Sequence, residues 1–200
     1  GDGGVINIEG ESGLSGEIFD KAVLILSGYL RSRYARTFPL SITASLCFEQ
    51  MYTPIDGDSA TAAQLCAIIS AISGIPLRQD LAITGSVNQL GDMQPVGGVS
   101  EKIEGFHTIC AKQGLTGTQG VLIPKRNLNN IILNQTVQND IKAGLFHLYA
   151  VNTIDEALEV FMGRPAGTAD EDGNFPPDSI NGIVSRELKR MATIIKRYET

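Results

Sequence analysis

Gln94-Pro95-Val96-Gly97-Gly98-Val99-Ser100-Glu101-Lys102-Ile103 is the stretch on which the reading of this chain turns. Gly91 to Gly98 reads as a turn-rich loop built on Pro95, Gly97 and Gly98, after which the apolar spacing becomes helical. Ser100 is placed to cap a helix running to about Gln113, with Ile103, Phe106, Ile109 and Cys110 facing inward. A short apolar strand, Leu81 to Val87, precedes the loop, and Val121-Leu122-Ile123-Pro124 follows as a buried strand ended by proline. Strands alternating with helices place the chain in the α+β (mixed α/β) class, with mixed sheet packed by helices.

Towards the amino terminus, Ala60 to Ile72 is apolar nearly all round and is stopped by Gly74, so a buried helix is expected there, with Asp58 or Ser59 as its cap. Ser41 to Phe48 alternates, with Ile42, Ala44, Leu46 and Phe48 on one side of a half-buried strand. From Leu14 to Arg36, Ile18, Ala22, Ile25, Leu26, Tyr29 and Leu30 share a helical face. Towards the carboxyl terminus, Phe146 to Val151 reads as a strand, and Thr153-Ile154-Asp155-Glu156 has the capping-box spacing for a helix to about Met162. The expected organisation is a main domain over 1–163, a linker over 164–178, and a terminal amphipathic helix over 179–200. Ile183, Leu188, Met191 and Ile195 are the candidate apolar positions of that helix.

Composition narrows the classes of function. Two hundred residues, 42% hydrophobic and 19% charged, suit one globular core with an appendage and exclude a disordered chain. A formal charge of −6 argues against a dedicated nucleic-acid site, which needs a clustered basic face; between Thr37 and Glu101 the one cation is Arg78. Cys47, Cys66 and Cys110 have no C-x-x-C spacing, and with two histidines they offer no disulfide framework and no metal site. No signal peptide and no membrane segment is visible, so a cytoplasmic location is expected.

Two side chains could carry chemistry. Ser59, in Asp56-Gly57-Asp58-Ser59-Ala60, sits where a glycine-bearing loop enters a helix, beside free backbone N–H groups that can receive an oxyanion. Taken alone, Asp58 or Ser59 reads more plainly as a helix cap. Lys102, in the first turn of its helix, lies on the wrong side of the macrodipole, which favours the neutral amine; taken alone it reads more plainly as a solvated side chain paired with Glu101 or Glu104. Together they are more informative, because a serine hydroxyl is a weak nucleophile without an adjacent base.

With Pro76-Leu77-Arg78-Gln79-Asp80-Leu81-Ala82-Ile83-Thr84-Gly85-Ser86 added to the two motifs above, the chain resembles the proteolytic domain of Lon proteases from about Leu14 to Met162. The resemblance implies a Lon-type peptidase fold with a carboxyl-terminal helical extension. It also implies a serine–lysine dyad, in which Ser59 attacks the peptide carbonyl and Lys102 takes the proton. Thr84 occupies the position of a threonine whose hydroxyl bonds the lysine. Gly57-Asp58-Ser59 resembles the archaeal branch and its bacterial relatives rather than the D-G-P-S-A-G branch. Where that branch carries a glutamate before the serine, this chain has Thr53 and Asp56, and Asp56 is taken as the acidic partner of Lys102. The family acts on unfolded or damaged proteins, as a homo-hexamer fed by an AAA+ ATPase module. No G-x-x-x-x-G-K-[ST] run occurs here, so no cofactor is expected on this chain, and ATP and magnesium belong on a module outside it.

Two rival readings stand beside this one. Gly57-Asp58-Ser59-Ala60-Thr61 misses the G-x-S-x-G elbow of α/β-hydrolases by one residue, with His147 as the base; His147 lies in an apolar strand pattern, where a core histidine is the plainer reading. His107 reads as a partly exposed surface histidine. The other rival is a catalytically weak or silent Lon-like assembly or regulatory module, motivated by the departures in the loop before Ser59.

Overall fold

The computed structural model describes residues 4–198. In chain order the elements are β1 (Gly4–Asn7), α1 (Ile8–Glu11), α2 (Glu17–Tyr34), β2 (Thr43–Leu46), α3 (Thr61–Ser73), β3 (Leu81–Ile83), β4 (Ser86–Val87) and β5 (Met93–Gln94). There follow α4 (Val99–Gln113), β6 (Gly120–Pro124), a 3-10 helix (Lys125–Asn130), α5 (Gln135–Lys142), β7 (His147–Val151), α6 (Ile154–Met162) and α7 (Ile180–Tyr198). β1 and β2 pair in parallel, β3-β6-β7 form a parallel sheet with β6 central, and β4 with β5 is an antiparallel pair. The expected α+β class with both kinds of pairing is what the chain adopts.

β6 organises the interior. All five of its residues are buried, as befits a parallel strand covered on both faces, and alternation sends its side chains to opposite sides. Leu122 joins a core with Leu26, Leu30, Leu65, Ile69 and Leu158. Val121 and Ile123 join a second core with Val99, Ile103, Val137 and Phe146. α3 lies in the first core, with Leu65 and Ile69 fully buried and Cys66 at 1% exposure, and Gly74 in the left-handed region ends it as expected.

Several expectations shift by a turn or a residue. Helix α2 begins at Glu17, and Ile18 is 53% exposed because the buried face is carried by Phe19, Ala22, Val23, Leu26, Tyr29 and Leu30. On α4 the inward face is Val99, Ile103, His107 and Cys110, which leaves Ile109 exposed. His107 is therefore a core histidine rather than a surface one. Its Nε2 lies 2.7 Å from Asp140 Oδ2, and its ring stands edge-on to Phe146, so α5 supplies the polar partner that burial demands. The expected strand 81–87 is two strands, broken at Thr84 and Gly85.

Residues 164–178 form no helix or strand, and they pack rather than dangle. Ala166 is buried, Phe175 packs on Tyr34, and Arg33 lies over the Phe175 ring. Asn181, fully buried, donates to Gly167 O and to Asp155 Oδ1, and accepts from Tyr34 Oη. Gly182 is required where it stands, since a Cβ there would meet Pro176 O at 2.0 Å. The apolar side chains that α7 buries are Ile180, Val184 and Leu188, all in the first core, whereas Ile195 is 37% exposed. Among the described residues no helix is long and apolar enough to cross a membrane.

Candidate active site

The loop before α3 is held by backbone bonds. Its helical cap position is Ala60, with no side-chain cap, so neither Asp58 nor Ser59 serves as the expected cap; Asp58 instead offers its carbonyl to Thr61 N and Thr61 Oγ1. Gly85 N donates to Ser59 O at 2.9 Å, and Ala62 N donates to Gly85 O at 3.0 Å. These reciprocal bonds require the chain to break away from β3 at Thr84, whose N–H still reaches Leu122 O of β6. A side chain at Gly85 would have to displace its neighbours, because a Cβ would lie 2.4 Å from Met93 Cε and 3.2 Å from Pro124 Cγ. Among the described residues the N–H groups of Ser59 and Ala60 have no protein acceptor.

Helix α4 brings the lysine from the other side. Gly98, in the left-handed region at φ 67°, is its N-cap, so the expected cap Ser100 is already inside the helix and its hydroxyl accepts from Ile132 N. Glycine suits that position because an L side chain at positive φ is strained. Lys102 Nζ donates to Thr84 Oγ1 at 3.4 Å, and Thr84 Oγ1 donates to Ser59 O at 3.3 Å. Thr84 itself is buried. One hydroxyl thus links the serine segment to the lysine. Ser59 is half-buried and Lys102 exposed, and no direct bond joins Ser59 Oγ to Lys102 Nζ among the described residues.

Asp56 is placed elsewhere. Its Oδ1 accepts from Ile18 N, Phe19 N and Gly57 N, which makes it the cap that Gly16, at the start of α2, lacks a side chain to provide. A Cβ on Gly16 would sit 2.3 Å from the Asp56 carboxyl carbon, so the glycine and the aspartate depend on each other. Gly57 N–H, then Phe19 and Ile18 N–H, hold this carboxyl below the usual range against its partial desolvation. No ion pair joins Asp56, or any other acid, to Lys102 among the described residues. Gly57, at φ 95°, gives the turn between Asp56 and exposed Asp58. The sequence showed an acid before the serine but not that one of its oxygens, Oδ1, serves a helix terminus.

Asn127 went unnoticed in the sequence. Buried in the 3-10 helix, it accepts from Val96 N at 3.1 Å and donates to Val96 O at 2.9 Å. The signal, an asparagine three residues past the proline that ends a strand, is too common to single out. His147 Nε2 bonds Gly117 O at 2.8 Å, away from Ser59, which removes the support for a serine–histidine reading. Among the described residues no cluster of three or more His, Cys, Asp or Glu could hold a metal. An apolar groove lined by residues 41–46, Ala67, Ala71 and Met191 includes none of Ser59, Thr84 or Lys102.

Residues 40–164 match the family model of the Lon protease (S16) C-terminal proteolytic domain. Among curated relatives, a protein of Haemophilus influenzae named "Putative Lon protease homolog" is 40% identical over 192 residues, covering 96% of this chain and 32% of the relative. A protein of Escherichia coli with the same name is 43% identical over 162 residues, 81% of this chain and 28% of the relative. The archaeal Lon protease of Thermococcus kodakarensis is 35% identical over 151 residues, 76% of this chain and 22% of the relative. The chain therefore spans about a third or less of these proteins. The Haemophilus match takes in most of the packed tail that lies beyond the family model. The motifs around Ser59, Thr84 and Lys102 all fall inside the matched segment, and the chain belongs to the Lon protease C-terminal proteolytic domain family.

Proposed function

We propose that this chain is a serine endopeptidase domain working through Ser59 and Lys102. The observation that carries the reading is the Thr84 hydroxyl, which bonds Lys102 Nζ and the Ser59 carbonyl together. In the reaction, Ser59 Oγ attacks the peptide carbonyl and passes its proton to the Lys102 amine, forming a tetrahedral oxyanion. The N–H groups of Ser59 and Ala60, which have no protein acceptor among the described residues, are suited to receive that charge. The C–N bond then breaks, and the lysine proton goes to the leaving amine. Water, deprotonated by Lys102, releases the acyl group and restores Ser59. Thr84 orients the amine, Gly57 and Asp58 shape the turn that presents Ser59, and Asp56 acts by fixing that turn to α2.

In the longer protein, this domain cleaves unfolded or damaged chains delivered by an AAA+ ATPase module, within a cytoplasmic homo-hexamer. ATP and magnesium act on that module. These features rest on membership of the family and on the relatives being about three times the length of this chain.

A fluorophosphonate probe with mass mapping tests the chemistry. The expected adduct is on Ser59 and is absent from Ser59→Ala. A folded chain that takes no label would leave the silent assembly module as the reading, and a label kept in Ser59→Ala would take the nucleophile away from Ser59.

A further inference from the structure

Lys102 reaches Thr84 only if α4 sits at the right height on the sheet, and that height is set by neither residue. Thr84 is registered to β6 through its N–H on Leu122 O. β6 then runs through Pro124 into the 3-10 helix and residues 131–134. This stretch is tied to the lysine-bearing segment at three points. Asn127 brackets Val96 through both of its main-chain groups, Ile132 N donates to Ser100 Oγ at 3.1 Å, and Asn134 N donates to Glu104 Oε1 at 2.7 Å. Val96, Ser100 and Glu104 are spaced four apart, so the ties descend one side of α4 and its lead-in. Lys102 lies roughly 200° around the helix from Ser100, on the side away from the ties. Both ends of the Lys102–Thr84 bond are thus referred to one strand, β6.

We propose that residues 127–134 are a strap that fixes the axial position of α4 on β6 and thereby the aim of Lys102 at Thr84, with Asn127 as the principal positioning residue. Asn127 suits the task because its amide donates and accepts in one plane, as a neighbouring strand would. It is buried, at 6% exposure, where little solvent competes for the Val96 groups. Glu104 is the secondary tie, a carboxylate on a backbone N–H at the far end of the strap. The proposal rests on the peptidase reading above, and its test separates the two.

The test measures cleavage of an unstructured fluorogenic peptide and the rate of phosphonate labelling in Asn127→Ala, Glu104→Ala and Glu104→Gln, with melting followed in parallel. Asn127→Ala is expected to lose about tenfold or more in kcat with KM within about twofold, the pattern of a misaimed catalytic group rather than lost substrate contacts. Glu104→Ala should lose about threefold and Glu104→Gln, which keeps the acceptor oxygen, should match the parent. In a Lys102→Arg background, Asn127→Ala should slow Ser59 labelling no further, because the strap acts through the lysine. If Asn127→Ala does not fold, the Glu104 pair decides. The strap is overturned by parental kcat in the folded Asn127→Ala, by equal losses in both lysine backgrounds, or by Glu104→Ala and Glu104→Gln behaving alike. Failure of the peptidase reading is distinguishable, since Ser59→Ala would then label and cleave like the parent.

Discussion

The two helix starts that meet at Thr84 are secured by different kinds of bond. The entry to α3 is laced to Gly85 by main-chain groups, Gly85 N to Ser59 O and Ala62 N to Gly85 O. The entry to α4 is a left-handed glycine steadied by side chains, those of Asn127, Ser100 and Glu104. Main-chain bonds survive nearly every substitution, whereas a side-chain bond is only as durable as its residue. The serine half of the site is therefore mechanically robust, and the lysine half is the one that substitution can detune.

The largest expected effect comes from the lysine itself. Lys102→Arg preserves charge and reach but has no neutral form near pH 7, so cleavage should fall by about 10²- to 10⁴-fold, the range of a general base. Near-parental turnover of an unstructured protein by that variant would break the dyad. Next is Thr84→Val, which removes the lysine's acceptor while Gly85 N–H still holds Ser59 O. Turnover should drop about 10- to 100-fold, with phosphonate labelling of Ser59 slowed in step because both use the aimed lysine, and unchanged turnover would show that Thr84 does not orient it.

Gly85→Ala attacks the robust half. The added methyl must displace Met93 Cε and crowd Pro124, so a loss of about 1–3 kcal/mol in chemical denaturation is expected, with kcat falling alongside. Unchanged stability would show that the lacing tolerates movement.

The smallest effect lies at the base of β3, where Arg78 Nε and Nη2 clasp both oxygens of Asp80. Arg78 holds the Asp80 carboxyl down at about 2, below its unfolded value of roughly 3.9. A carboxyl lowered on folding stabilises above its unfolded value, and the contribution fades as pH falls towards 2. With both side chains about a third exposed, Arg78→Ala should cost no more than about 1 kcal/mol at pH 7. Melting curves of parent and variant should converge by pH 2, and a gap constant from pH 7 to pH 2 would assign the loss to packing.

Much of this frame was legible in the sequence, for identifiable reasons. α3, β6 and α6 carry strong local signals: an uncharged, mostly apolar run, a proline stop and a capping box, with Thr153 Oγ1 accepting from Glu156 N as expected. Ser59, Thr84 and Lys102 stood in motifs whose spacing matched a family, and the fold brings the three segments together. What escaped depends on partners distant in sequence. β1 is four residues that gain meaning only against β2. His107 reads as surface until Asp140, 33 residues on, arrives to satisfy it. Asp56 reads as a companion to the lysine until the N–H groups of α2 engage its Oδ1. Residues 164–178 look like a linker because their anchors, Tyr34 and Asn181, are invisible locally.

Consider finally the strand shared between the two apolar clusters. Leu122 belongs to one and Val121 and Ile123 to the other, with barely 2% exposure at most for any of the three. Neither cluster can open without stripping cover from a strand that the other also needs, so thermal or chemical damage in one half is transmitted to the other. The half that carries α3 and the half that carries α4 are therefore expected to melt as one cooperative unit, so that the serine segment would not outlast the lysine segment on heating.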